Sequence, residues 1–141
     1  MEIKITINTD RAEDVNVKVE NNARNEPNYT PYARFFDINN RKWRADLDLN
    51  IAFLIRTQHY FNDKLRLEKK VYINDVYEAL GFPRVKEYEN LVGWTYGLGN
   101  PASDEYIDFG LYDIFKQPYW WWDCKRQILI DFNAEGDISW F

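Results

Sequence analysis

The chain of 141 residues is 45% hydrophobic and 18% aromatic, a composition typical of one globular domain with a substantial core. The chain has one cysteine, which excludes an intramolecular disulfide. With one histidine in addition, it has too few ligands for a zinc site. The formal net charge is −5, and residues 71–141 hold 12 Asp/Glu against 5 Lys/Arg, which argues against binding to a nucleic-acid backbone.

No apolar run approaches the roughly 20 residues that a membrane span needs, and the first residues do not follow the pattern of a signal peptide. We therefore predict a cytoplasmic protein that contacts neither a membrane nor nucleic acid directly. The acidic half of the chain suits a partner with a basic surface, although an ordinary solvated face has the same composition.

Two short runs of alternating hydrophobicity open the chain. Residues 1–8 place isoleucine at every second position, and residues 15–19 do the same with valine. Because alternation is typical of half-buried strands, these runs predict an antiparallel hairpin around the polar residues 9–14. A helix over residues 10–20 is the alternative, but valines two residues apart do not share one helical face.

A long connection and the main helix follow. Residues 21–44 contain two prolines and several asparagines, which predicts a loop with one short strand over residues 33–38. The main helix begins near Asp46, and its core-facing stripe is predicted from apolar residues near helical spacing: Leu47, Ile51, Leu54, Ile55, Phe61 and Leu65.

The second half of the chain alternates short strands with one short helix. A strand over residues 71–73 leads into a helix that Asn74 caps and Gly81 ends. Further strands are predicted over residues 91–96, 106–111, 127–132 and 137–141. The last two strands form a hairpin around the turn at residues 133–136.

These elements define an α+β class. We predict a small antiparallel sheet with an N-terminal hairpin, one long helix and one short helix, in a single domain over residues 1–141.

The sequence contains no recognisable catalytic constellation. The tripeptide DFG at residues 108–110 lacks the other parts of a kinase, for which the chain is far too short. Asp131, Asn133 and Glu135 fall at positions 1, 3 and 5 of a calcium loop, but the glutamate of position 12 would be residue 142, beyond Phe141. We therefore predict no enzyme activity, no catalytic residue, no cofactor and no metal site.

The most unusual segment is QPYWWWDCKR at residues 117–126. In a strand, alternate members of its aromatic run would face opposite sides, so that two would stay exposed on a domain with one buried sheet face. The partner-binding surface is therefore predicted from this run and two flanking acids: Tyr119, Trp120, Trp121, Trp122, Asp113 and Asp123. The alternative is that residues 21–44 act as a lid and that the aromatic run is core.

Four stretches of the second half carry a family resemblance: VYINDVYEALGFP, VGWTYG, YIDFGLYD and ILIDFNAEGDI. Together they make residues 71–141 similar to a domain of uncharacterised proteins that phages and prophages of Gram-positive bacteria encode. The resemblance covers about half of the chain, and its motifs are structural. It implies a phage accessory origin, and it carries no functional residue over.

These observations favour a non-enzymatic, phage-derived protein that binds and inhibits a host protein, for instance an anti-defence factor such as a CRISPR inhibitor. One alternative is a virion or assembly component that self-associates into homo-oligomers. A further alternative is a small-molecule or nucleotide sponge in which a tryptophan stacks on a base.

Overall fold

A computed structural model describes residues 29–111 and 127–141 of the chain. The predicted N-terminal hairpin and the aromatic run at residues 119–122 lie outside the described residues. The described elements, in chain order, are β1 (Arg34–Asp37), α1 (Leu47–Glu68), β2 (Lys70–Tyr72), α2 (Ile73–Leu80), a 3₁₀ turn (Lys86–Tyr88), β3 (Gly93–Thr95) and β4 (Gln127–Ile130).

The predicted α+β class is confirmed, with α1 as the long helix and α2 as the short one. Within the described ranges the strands form two separate antiparallel pairs, β1 with β4 and β2 with β3. Phe36 lies opposite Ile128 in the first pair, and Val71 lies opposite Trp94 in the second. All four side chains are buried, so each pair contributes one face to the core.

Helix α1 follows the sequence prediction closely. The carboxylate of Asp46 caps its N-terminus by accepting a hydrogen bond from the Leu49 N–H at 3.2 Å. Its C-terminus ends where Lys69 adopts a left-handed conformation with a φ of 73°. No helix in the described part of the chain is long and apolar enough to cross a membrane.

The predicted core stripe of α1 is confirmed. Three of its members are fully or almost fully buried, and the other three are partly buried against the core. The buried members are Leu54, Phe61 and Leu65, and the partly buried members are Leu47, Ile51 and Ile55.

The predicted cap of α2 is wrong. The helix begins at Ile73, so its N-cap is Tyr72, two residues before the predicted cap, and Tyr72 makes no side-chain capping bond. Asn74 is instead fully buried, and its amide pairs with the backbone of Val85. Because the helix begins directly after β2, Asn74 lies within its first turn and its side chain faces the interior. The predicted stop is confirmed, because Gly81 ends the helix with a φ of 91°.

The predicted C-terminal hairpin is also wrong. Beyond β4 the chain pairs with the strand region around β3 rather than turning back on itself. The Glu135 N–H donates to the Gly93 carbonyl at 2.8 Å, and the Ile138 N–H donates to the Leu91 carbonyl at 2.7 Å. A bridge between Val92 and Asp137 continues this contact. The buried β3 needs partners for its backbone groups, and the C-terminal segment supplies them.

The predicted strand over residues 106–111 is irregular in the structure. Its carbonyl groups nevertheless accept hydrogen bonds from the segment that follows β4. The Asp131 N–H donates to the Phe109 carbonyl and the Asn133 N–H donates to the Asp108 carbonyl, each at 3.2 Å. The two segments are therefore held side by side without forming a regular ladder.

Aromatic rings fill the centre of the core. Phe132 meets Tyr77, Trp94 and Phe109 edge-on, at centroid distances of 5.5, 6.4 and 5.2 Å respectively, and all four are fully buried. The strands β2 and β3 approach each other closely at Gly93, where an added Cβ would lie 2.0 Å from the backbone carbonyl oxygen of Val71. Glycine is therefore required at this position.

Asparagine side chains tie the loops to the helices. Each of three asparagines accepts a hydrogen bond from the N–H of one loop residue and donates one to the carbonyl of the same residue, at 2.7–3.0 Å. The three pairs are Asn50 with Arg44, Asn62 with Ile107, and Asn74 with Val85.

We expect Asn74→Ala to lower the free energy of unfolding by about 3 kcal/mol, because it leaves backbone groups of Val85 without their partners. Urea denaturation of the purified protein measures this change. The control is Asn39→Ala, at an exposed position, which should change stability by less than about 0.5 kcal/mol. Equal stabilities of the two variants would contradict a structural role for the Asn74 pair.

Candidate functional site

The residues predicted to bind a partner all lie outside the described residues. They are Asp113, Tyr119, Trp120, Trp121, Trp122 and Asp123. The structure therefore neither brings them together nor separates them, and their role stays a prediction.

The described part of the C-terminal half contains another group of acidic residues. Residues 92–111 and 127–141 include six Asp/Glu and no Lys, Arg or His. The backbone hydrogen bonds of Asp131 and Asn133 hold these two segments together. The carboxylate of Glu135 is enclosed by protein. We call the other five carboxylates the acidic surface: Asp104, Glu105, Asp108, Asp131 and Asp137.

Neutral donors hold the carboxylates of the first segment. Asp104 accepts from the side-chain amide of Asn133 at 3.1 Å. Glu105 accepts from the Gly97 N–H at 3.2 Å. Asp108 accepts from the N–H two residues further along the chain at 2.8 Å. Each of these contacts orients a carboxylate without neutralising its charge.

The carboxylates of the second segment follow the same rule. Asp131 accepts from the hydroxyl of Thr30 at 2.6 Å and from its N–H at 3.2 Å. One oxygen of Glu135 accepts from the N–H and the hydroxyl of Thr95, at 3.1 and 2.7 Å, and from the Asn100 side-chain amide at 2.9 Å. The other oxygen of Glu135 is buried without a hydrogen-bond partner among the described residues.

Asp137 completes the acidic surface. Its carboxylate accepts from the hydroxyl of Ser139 at 2.6 Å and from the N–H of the same residue at 2.9 Å. The hydroxyl bond and then the backbone bond lower the pKa of Asp137 below its usual value, because both stabilise the charged form. This carboxylate is therefore held in its ionised form.

Several acids on and near the helices, unlike those of the acidic surface, form ion pairs. On α1, Glu68 pairs with Lys64 and Asp63 pairs with Arg66. On and after α2, the carboxylates of Asp75, Glu78 and Glu89 surround the guanidinium of Arg84. The hydrogen bond from Arg84, and then the one from Asn74, lowers the pKa of Glu89. Among the described residues, ion pairs thus offset the charge of five acids on or near the helices, while the acidic surface has no such pair.

Asn133 links the acidic surface to the core. Its side-chain oxygen accepts from the indole N–H of Trp94 at 2.7 Å and from the Asp108 N–H at 2.8 Å. Its amide also donates to the Tyr106 carbonyl at 3.0 Å. The Asn133 oxygen that the calcium-loop pattern would require is thus occupied by protein donors. In the described ranges no three His, Cys, Asp or Glu side chains are grouped to hold a metal ion.

Large apolar side chains are exposed in the same part of the chain. Trp140 is 83% exposed and Tyr106 is 50% exposed, and both lie within three residues of members of the acidic surface. Exposed aromatic side chains beside unpaired charge are typical of protein-binding surfaces. Sequence reasoning missed Trp140 because it assigned residues 137–141 to a paired strand, although the lack of any cation over residues 127–141 was visible.

The comparisons with known proteins identify the family. The chain matches the family of unknown function DUF6353 over residues 1–141, and it belongs to that family. The chain matches no curated protein and no solved structure.

We expect Ser139→Ala to raise the pKa of Asp137 toward the usual value of about 3.9, because the variant removes the stronger of its two donors. In the parent protein the lowered pKa stabilises the fold above the pKa of the unfolded chain, and this contribution is lost as the pH falls through the folded pKa. Carboxyl NMR titration measures the value. Ser103→Ala, whose hydroxyl donates to the Thr95 carbonyl, is the control. An unchanged Asp137 pKa in Ser139→Ala would refute this account.

Proposed function

We propose that the protein is a non-enzymatic binding protein of phage origin that acts in the host cytoplasm by binding and inhibiting a host protein with a basic surface. The observation that carries the proposal is the acidic surface, whose five carboxylates are held by neutral donors and which lies in the same part of the chain as the exposed Trp140 and Tyr106. The phage origin rests on the resemblance of residues 71–141.

The arrangement supports binding in two ways. Carboxylates that have no cation beside them among the described residues attract a basic partner and accelerate association, and a partner's Lys or Arg need not displace a cation of those residues. Exposed aromatic side chains supply most of the affinity, since they bury large apolar areas with little loss of conformational freedom. An anti-defence factor such as a CRISPR inhibitor is one biological form of this activity.

We expect the tagged full chain to retain a host protein from a lysate of a Gram-positive host. Trp140→Ala should weaken the affinity for the retained protein at least about 30-fold, which corresponds to roughly 2 kcal/mol. Its melting temperature should not change, because Trp140 is 83% exposed. Titration with the isolated host protein gives the affinity. Tyr60→Ala, at a 60% exposed aromatic on α1, is the matched control and should bind like the parent.

Three outcomes count against the proposal. No host protein is retained, the protein is recovered in purified phage particles, or nucleotides raise its melting temperature. The second outcome supports a virion component, and the third supports a nucleotide sponge. Melting curves of Trp120→Ala and Trp121→Ala test the predicted aromatic surface separately, since a drop of many degrees in both would assign these side chains to the core.

A further inference from the structure

A line of exposed side chains runs along helix α1. Leu49 is 56% exposed, Tyr60 is 60% exposed and Leu67 is 82% exposed. An α-helix turns by about 100° per residue, so these three side chains lie within about 20° of one line parallel to the helix axis. Arg56 is also exposed and lies within about 20° of the same line. We call these four residues the outer stripe.

The outer stripe lies on the side of α1 that faces away from the core. The buried apolar residues of the helix, Leu54, Phe61 and Leu65, are about 120–160° away around the axis. The stripe extends over about 27 Å of helix, and the aliphatic stem of Arg56 lies between Leu49 and Tyr60. Single apolar residues on a surface need no explanation, but an aligned set of this length is typical of a helix that meets another helix.

The spacing of the outer stripe is the same when it is read from either end. Its members are seven, four and seven residues apart, which is the spacing at which one face of a helix meets a second helix in a coiled coil. A second copy of α1 that lies antiparallel, about a two-fold axis near residue 58, therefore places Leu67 opposite Leu49 and Tyr60 opposite Arg56. Such an arrangement satisfies both copies at once, as a two-fold interface requires.

The residues that meet in this arrangement are chemically complementary. Leu49 and Leu67 form an apolar pair at each end, and in the middle each Arg56 guanidinium meets the ring of a tyrosine, a favourable contact between a cation and an aromatic face. Asp63 is exposed one turn beyond Tyr60, so its carboxylate borders the guanidinium of the second copy. A parallel pair would instead place Arg56 against Arg56, which like charges disfavour.

The outer stripe is separate from the acidic surface. Gln58 accepts a hydrogen bond from the Phe109 N–H at 2.8 Å, and Asn62 accepts one from the Ile107 N–H at 2.7 Å. Both side chains thereby hold the segment that contains Asp108, and they lie about 140–220° around the helix axis from the stripe. A basic partner at the acidic surface and a second copy at the outer stripe would thus approach α1 from opposite sides.

We propose that the outer stripe is the interface of an antiparallel homodimer, in which α1 of one copy packs against α1 of the second. The inference does not depend on the proposed function, and it adds a second interaction surface to the molecule. The contact is a single pair of helices, which places it at the small end of specific interfaces. The dimer is therefore expected to be weak, with a dissociation constant in the micromolar range.

Analytical ultracentrifugation of the full-length protein, over a range of concentrations, tests whether the dimer forms. We expect a reversible equilibrium between monomer and dimer. In a sample that mixes isotopically labelled and unlabelled protein, isotope-filtered NMR should show contacts between the methyl groups of Leu49 and Leu67. These residues are about 27 Å apart along one helix, so the contact can arise only between copies. A protein that stays monomeric at millimolar concentration, or a dimer without this contact, would overturn the proposal.

Two double variants test the antiparallel register. In Leu49→Glu/Leu67→Lys each glutamate faces a lysine of the second copy, whereas in Leu49→Glu/Leu67→Glu it faces another glutamate. We expect the first variant to dimerise at least about tenfold more tightly than the second. In a parallel pair, like charges would face each other in both variants. Equal dimerisation of the two variants therefore contradicts the antiparallel interface.

Two single variants separate the outer stripe from the surface of the proposed function. Tyr60→Ala should weaken dimerisation at least about tenfold, because it removes the ring that Arg56 contacts. Trp140→Ala, at an exposed aromatic outside the stripe, is the matched control and should dimerise like the parent. Both residues are largely exposed, so the melting temperature of the monomer should not change in either variant. If Tyr60→Ala dimerises as strongly as the parent, the outer stripe is not the interface, and this result leaves the binding of a host protein untouched.

Discussion

Pairing between an asparagine side-chain amide and the backbone N–H and C=O of a single residue is the interaction on which the described fold depends. A side-chain amide offers one acceptor and two donors, so it can satisfy both backbone groups of a loop residue as a neighbouring strand would. The strands are only three or four residues long and satisfy few backbone groups themselves. Asn50, Asn62 and Asn74 therefore fix the path of the chain before α1, before β4 and after α2.

The acidic surface is a consequence of this kind of pairing. Asn62 accepts a hydrogen bond from the backbone N–H of Ile107. Nearby, the side chain of Asn133 forms hydrogen bonds with the Asp104 carboxylate, the Asp108 N–H and the indole N–H of Trp94. Like charges close together repel one another, and neutral donors reduce this cost by orienting each carboxylate. They leave the net charge intact, which a lysine or an arginine in the same place would not do. The surface is thereby organised without being neutralised.

Local features were predictable from the sequence, and long-range pairing was not. The ends of α1 follow from the capping carboxylate of Asp46 and the period of its apolar stripe, which are properties of neighbouring residues. The partner of β1 is β4, far along the chain, and alternation within a strand does not specify its partner. Asn74 has the same signature whether it caps a helix or is buried inside one. The acidic surface could not be predicted, because it depends on two segments that are distant in sequence and packed together in the fold. The lack of cations in each segment was nevertheless visible in the sequence.

The charges of this protein are distributed in a way that stability alone does not explain. Several carboxylates on and near the helices pair with cations, yet among the described residues the buried cation Arg34 has no carboxylate and the acidic surface has no cation. Asp131 follows the strand partner of Arg34, and its carboxylate accepts hydrogen bonds from Thr30. The acidic surface therefore keeps its charge among the described residues, which is the property that the proposed binding to a basic partner requires.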